Sequence, residues 1–384
     1  GTGMLSHGYV GLLMARLEIG VQIFFVLSGF LLFRPWVKAV ASNGSPPLVN
    51  RYARHRVRRI MPAYTVTVLI AFLVYQFRTA GPNPGHTWLG LLQHLTMTQI
   101  YADTYMFVLH QGLTQMWSLA VEVAFYAVLP LLAYVLLTVL CRGRWRPGLL
   151  MAGLAAIAAV SPVWLLVLHT TDWLPSSAGM WLPAHLLYFA GGMVLAVLRA
   201  KSVRCNAFAA IPVALIGYLI VSTTIAGDAS MSPLELWQPL AKAAFYALIA
   251  TLAVAPLVLG GRGGHPRLLS SRPMVWLGEI SYEIFLLHVI VMEISMASLL
   301  RWPVFTGSMP VLVVVTLVMT VPLAWVLHRW TRPRDRVVLS QMSISPVVVQ
   351  PACVSSIGAG QIEAGRRIVE RPGSPRLGSL SRER

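Results

Sequence analysis

The chain has 384 residues, of which 57% are hydrophobic and 11% charged, with a mean hydropathy of +0.69. Soluble domains carry roughly 25% charged residues, so a share below half of that excludes a water-soluble globular enzyme, a disordered chain and a coiled coil. A formal net charge of +17 would suggest nucleic acid in a soluble protein, but here the basic residues fall in short loops between apolar runs, a mark of membrane topology with no nucleic-acid partner.

Nine apolar segments approach the roughly 20 residues a helix needs to cross a bilayer: about 17–38, 60–77, 117–140, 149–169, 182–199, 206–226, 239–260, 274–299 and 308–330. They predict an all-α, polytopic membrane bundle. A tenth run, Trp88 to Tyr101, contains Gln93, His94, Thr96, Thr98 and Gln99. It is too short and polar to face lipid and is expected to be a re-entrant or interfacial helix packed against protein. Lys and Arg concentrate in 34–59, 142–146, 199–204, 262–272 and from Arg329 onward, whereas the alternate side and the spans hold only Arg16, Arg78, Lys242 and Arg301. This alternation with every crossing places the basic loops in the cytoplasm of a multi-pass cell-membrane protein, with a cytoplasmic C-terminus.

The first segment then runs from outside to inside, so Gly1 starts on the outer side with no signal peptide ahead of it. A preceding helix is expected, and the chain reads as an N-terminally truncated piece of a ten-span protein. Residues 1–330 are expected to form the membrane domain. Residues 331–384, rich in Arg, Ser, Gly and Pro, are expected to form a basic, largely disordered cytoplasmic tail that attracts anionic membrane lipid. Cys141, Cys205 and Cys353 lie far apart, with neither a disulfide framework nor metal-ligand spacing.

Ionisable groups within spans are expensive and mark function by default. Glu122 is the clearest, in the stretch Trp117-Ser118-Leu119-Ala120-Val121-Glu122-Val123-Ala124-Phe125-Tyr126. Ser118, Glu122 and Tyr126 recur every four residues, one polar stripe on an apolar helix that must face the bundle interior. Acid–base chemistry and substrate orientation are both open to such a carboxyl, as is a structural pairing with a neighbouring helix. Arg56 and Arg59, three apart, can converge on one anion, and Pro62 marks the first turn of the next span, whose N-terminus adds backbone donors. That combination on the cytosolic face suits a phosphorylated cytosolic compound. Later, Glu279, Tyr282, Glu283 and Glu293 share one side of a helix, and Ser281 and His288 the opposite side. A helix polar on two sides is expected to be packed by protein all round. In the first span, Ser28 and Gly29 are small enough for close helix approach or for lining a pocket.

These stretches, in this order, carry a resemblance. Phe24-Phe25-Val26-Leu27-Ser28-Gly29-Phe30, Arg56-Val57-Arg58-Arg59-Ile60-Met61-Pro62-Ala63-Tyr64, the Trp117–Tyr126 stretch and Leu277-Gly278-Glu279-Ile280-Ser281-Tyr282 through His288 together resemble the acyltransferase-3 family of integral-membrane acyltransferases. The resemblance implies an enzyme that takes an acyl group, usually acetyl, from cytoplasmic acyl-CoA to a hydroxyl of an envelope polysaccharide or glycolipid, with acyl-CoA as donor substrate and no permanently bound cofactor. It implies donor binding by Arg56 and Arg59, matches Glu122 to the family's intramembrane glutamate, and matches Tyr282 and His288 to its late motif; Ser28, Trp117, Tyr282 and His288 are expected to line the substrate site. It further implies a first helix with a basic residue followed about three turns later by a catalytic histidine. No such helix is expected before Leu17, and His7, 17 residues before Phe24, is the candidate for that histidine. The rival readings are a proton-coupled transporter or flippase, whose carboxylates relay protons, and a degenerate, inactive member of the family.

Overall fold

The computed structural model describes residues 8–77, 83–102, 109–227, 235–260, 270–301 and 307–331. His7 lies outside these residues, as does the tail beyond Thr331. Among the described residues the chain is helical throughout, without strands, and eight helices are long and apolar enough to cross a membrane.

The first span begins earlier than hydropathy suggests. Helix α1 (Gly8–Ala15) leads through a 3₁₀ turn (Arg16–Ile19) directly into α2 (Gly20–Ala41), so the helix of the first span itself begins before Leu17. Arg16 does not interrupt it, because its guanidinium is buried and donates to the carbonyls of Val221 (3.2 Å), Ala226 (3.0 Å) and Gly227. Helix α3 (Val49–Phe77) also starts early and incorporates the arginines, so Pro62 is interior to a 29-residue helix rather than in its first turn. Arginine is a good helix former, and the N-terminus expected beside Arg59 sits instead at Val49. Arg56 and Arg59 therefore act through side chains alone.

After α3 the chain forms the short helix α4 (Trp88–Leu95), started by Thr87, whose Oγ1 accepts from the Gly90 amide at 2.9 Å. Its Gly90 and His94 are buried and its Trp88, Leu89 and Leu92 exposed. Met97, at φ +57°, then reverses the chain into the turn Gln99–Tyr101. Helix α5 (Met116–Ala133) continues as a π-helical stretch Tyr134–Leu140, followed by α6 (Pro147–Thr170), α7 (Leu182–Ala200) and α8 (Ala207–Val221). The last of these is shorter than the span expected over 206–226: 15 residues rise only about 22 Å against a hydrocarbon core of roughly 30 Å. Asn206 starts it by accepting from the Phe208 amide at 3.0 Å, and a 3₁₀ turn Thr224–Ala226 follows its end. The chain closes with α9 (Trp237–Leu259), α10 (Arg272–Ile294, continued by Ser295–Leu300) and α11 (Met309–Thr331).

Helix α7 is the hub, packed on α2, α6, α9 and α5, while α10 and α11 pack together and against α3. The α2–α7 contact is close enough to require glycine on both sides. A Cβ on Gly29 would stand 2.2 Å from the Phe189 carbonyl oxygen, and one on Gly192 1.9 Å from that of Val26. Gly29 therefore serves backbone approach to α7, and its neighbour Ser28 is turned toward α5. Helix α10 departs from expectation. Met274, Val275, Trp276, Gly278, Glu279 and Ser281 are exposed, so its first turns are not packed all round, whereas from Tyr282 to Ile294 no residue is exposed. Tyr282 and Glu283 serve different neighbours, Tyr282 donating to the Ile60 carbonyl on α3 (3.0 Å) and Glu283 pairing with His328 on α11 (2.9 Å).

Candidate functional site

Glu122 of α5 is 2% exposed. Moving a carboxylate out of water costs several kcal/mol unless hydrogen bonds replace the lost hydration. Here two hydroxyls supply them. Ser28 Oγ, 7% exposed, donates to Glu122 Oε1 at 2.5 Å, and Tyr126, one turn along the same helix, donates to the same oxygen. Ser118, the third member of the sequence stripe, bonds instead to the Gln115 carbonyl at the start of α5 (3.1 Å).

The arginines reach this cluster from α3. The Arg56 guanidinium carbon lies 5.6 Å from the Tyr126 ring centre and 6.0 Å from that of Tyr52, a cation–π sandwich. Tyr52 closes the arrangement by donating to the Tyr126 carbonyl at 3.3 Å. Arg56 and Arg59 both act electrostatically on Glu122, and Tyr282 lies within the same field. Four helices (α2, α3, α5 and α10) thus bring Ser28, Arg56, Arg59, Glu122 and Tyr282 into one neighbourhood. A carboxylate gripped at one oxygen by two hydroxyls, beside a half-buried guanidinium, can orient a polar reactant and steady positive charge on a base, while the arginines can hold an anionic group.

Trp117 stands outside this cluster. It lies more than a turn from Glu122 along α5, with its ring 5.3 Å from that of His185 and 6.5 Å from that of Phe25. His288 turns back to its own helix, its Nδ1 bonding the Phe285 carbonyl at 2.8 Å.

Sequence reasoning passed over two groups at the end of the bundle away from the arginines. Glu18, in the turn before α2, pairs with Lys242 of α9 at 2.5 Å and accepts from Tyr246 at 3.1 Å. The signal was available, since Glu18 is the one acid in its apolar segment and Lys242 the one charged residue in its own, and such groups are expected to find partners. The second group is His86, His94 and His110, whose rings surround Phe72 at centroid distances of 5.1, 6.0 and 4.2 Å. His86 Nδ1 and His110 Nε2 bond each other at 3.0 Å, and among the described residues no His, Cys, Asp and Glu group is placed to hold a metal. Burial pushes the His110 pKa down to about 3, and also lowers that of His94. No periodic pattern announces this trio, because only His94 lies on a helix, and His86 and His110 come from irregular chain.

The family model described as an acyltransferase domain, acyltransferase-3, matches residues 2–329. The chain is 28% identical over 310 residues to the acyltransferase MdmB of Streptomyces mycarofaciens, an alignment covering 76% of this chain and 71% of that protein. It is 25% identical over 320 residues to the peptidoglycan O-acetyltransferase OatA of Listeria monocytogenes, covering 77% of this chain but only 46% of the relative. A shorter stretch of 136 residues is 27% identical to the regulator of hypoxia-inducible factor 1 of Caenorhabditis elegans, covering 34% of this chain and 26% of that protein. No solved structure matches the chain.

Proposed function

The chain belongs to the acyltransferase-3 family of membrane acyltransferases, and from that premise we propose that it moves an acetyl or related acyl group from cytoplasmic acyl-CoA to a hydroxyl of an extracytoplasmic carbohydrate or glycolipid. In this reading the arginine-bearing end of the bundle faces the cytoplasm of the cell membrane. Arg56 and Arg59 bind the phosphates of the donor, whose thioester then points toward Glu122. A base, for which His7 is the candidate, takes the proton of the acceptor hydroxyl. The hydroxyl oxygen bonds to the acyl carbon, the carbon–sulfur bond breaks, and the CoA thiolate leaves toward the cytoplasmic side. Glu122 orients the base or the acceptor, and Ser28 and Tyr126 hold the carboxylate in place. Ser28, Trp117, Tyr282 and His288 remain the proposed substrate-facing residues, and the tail beyond Thr331 a cytoplasmic extension.

One observation carries this reading: the cationic pair suited to a phosphorylated donor and the sequestered carboxylate belong to a single electrostatic cluster. A carbohydrate acceptor is favoured by the relative named a peptidoglycan O-acetyltransferase. The test is acetyl transfer by the chain reconstituted in liposomes, supplied with labelled acetyl-CoA and an envelope-glycan fraction. Arg59→Ala is expected to raise the KM for acetyl-CoA about tenfold, as loss of a charge-assisted contact does. Glu122→Gln is expected to lower kcat about 10²-fold, the lower end of what a lost acid–base function costs. Wild-type kinetics in both variants would remove the residue assignment.

A further inference from the structure

At the bundle end away from the arginines, the Glu18–Lys242 pair has a property that a purely structural ion pair inside a membrane lacks: it is open. The Lys242 and Glu18 side chains are 31% and 50% exposed, although Glu18 lies within the Gly11–Ala41 span and Lys242 within Trp237–Leu259. Charged groups within spans face the bundle interior or a water-filled cavity, because lipid would make their exposure prohibitive. The pair therefore presents an accessible polar face at this end of the bundle. Arg16, the nearby second cation, is buried and engaged with three carbonyls, which leaves Glu18 and Lys242 as the accessible charges, with Tyr246 fully buried against them. Tyr246 holds Glu18 by its hydroxyl and carries the Lys242 ammonium 5.5 Å above its ring, which fixes both charges in place.

One buried face of α2 leads inward from the pair. Glu18, Gln22 and Phe25 recur at helical spacing, and Ser28, bonded to Glu122, follows three residues later. Gln22 is 9% exposed, and its Oε1 has no hydrogen-bond partner in the protein. A buried acceptor left unmade costs roughly 1–3 kcal/mol, so a group that donates to it is accommodated favourably. Beyond Gln22, His185 of α7 lies against Phe25 (5.5 Å) and Trp117 (5.3 Å), between this face and the residues around Glu122. From Glu18 to Ser28 the helix rises about 15 Å.

We propose that Glu18, Lys242 and Gln22 form the binding subsite for the acceptor, and that its ligand is a vicinal diol of a neutral sugar. A carboxylate and an ammonium side by side offer a strong acceptor and a strong donor at the spacing of two adjacent hydroxyls, each of which both donates and accepts. Gln22 Oε1 then receives a third hydroxyl from the part of the sugar that points toward Glu122. This subsite rests on the acyl-transfer reading for its role, but binding of the sugar can be measured without transfer.

The experiment uses the full chain in lipid nanodiscs, with maltotriose and chitotriose as probes and acetyl-CoA as a separate ligand, reading thermal stabilisation and, in parallel, acetylation kinetics. At least one sugar is expected to raise the Tm of the wild type. The double variant Glu18→Gln/Lys242→Gln is expected to lose that sugar-dependent rise and to show a tenfold or larger increase in acceptor KM, with its Tm rise on acetyl-CoA retained. Gln22→Met is expected to weaken sugar binding several-fold. Lys242→Arg, which keeps the pair, restores sugar binding and guards against mere misfolding. Sugar binding in the wild type that the double variant loses, with no acetyl transfer in either, sustains the subsite while rejecting acyl transfer. Equal sugar binding in wild type and double variant, or no binding of either sugar to the wild type, overturns the subsite.

Discussion

The Ser28–Glu122–Tyr126 cluster and the His86–His94–His110 cluster are both buried polar groups in an apolar bundle, yet they are built in opposite ways. The first is assembled from regular helices, and its carboxylate oxygen is bonded by two hydroxyls. Its position depends on how closely α2 is drawn onto α7. The second is assembled from α4 and the irregular chain around it, and it leaves His94 Nε2 without a protein partner. Its imidazoles are packed around Phe72, and burial lowers the pKa of His94 and His110. Helix packing thus sets a hydrogen-bonded carboxyl beside a guanidinium, whereas α4 and the chain around it set imidazoles against an aromatic ring.

Three measurements break or sharpen this contrast. The largest effect is expected from Gly192→Ala, which inserts a Cβ where the Val26 carbonyl oxygen already stands. Overpacking of this kind costs about 1–3 kcal/mol or more, so thermal unfolding in detergent should show a large fall in Tm, with activity lost as Ser28 shifts from Glu122. An unchanged Tm would mean that α2 and α7 are not held so close. Next, Tyr126→Phe removes one of the two hydroxyls on Glu122 while leaving the ring under Arg56. One hydrogen bond is worth about 1–1.5 kcal/mol, so kcat should fall about tenfold with acetyl-CoA KM little changed. A rise in KM alone would assign Tyr126 to donor binding instead.

The smallest effect concerns the other cluster. Because burial depresses the His110 pKa from 6.5 to about 3, the unfolded chain binds a proton between those values that the folded chain refuses. Stability therefore falls as pH drops below about 6.5 and stops falling on this account near 3. Tm measured from pH 7 to pH 4 should decline less steeply in His110→Asn than in the wild type. Parallel profiles would show that His110 is not buried neutral.

Much of the first cluster was visible in advance. Glu122 is a lone acid in an apolar run, and Arg56 and Arg59 share a helix face. Its composition was not, for Ser28 and Ser118 are equally small and polar and only packing chose Ser28. Pro62 was misleading because its tolerance in a first helical turn does not forbid it from an interior position, where the missing amide bond is affordable in a long helix. Arg16 was misleading in another way, since three carbonyls from the end of α8 and the turn after it, about two hundred residues away in sequence, turned a predicted boundary into helix. His288 matched a motif but bonds its own helix, because sequence spacing gives a side chain's face and not its rotamer.

Length, apolar runs and the placement of Lys and Arg determined that this protein is a helical membrane bundle, and the order of its motifs determined its family. These are local quantities, because the free energy of placing a segment in lipid is a sum over that segment's own residues. Which polar groups meet was decided only by the tertiary structure: Ser28 with Glu122, Glu18 with Lys242, Tyr282 with the α3 backbone. Each pairing depends on the distance and rotation between helices, which no single segment encodes.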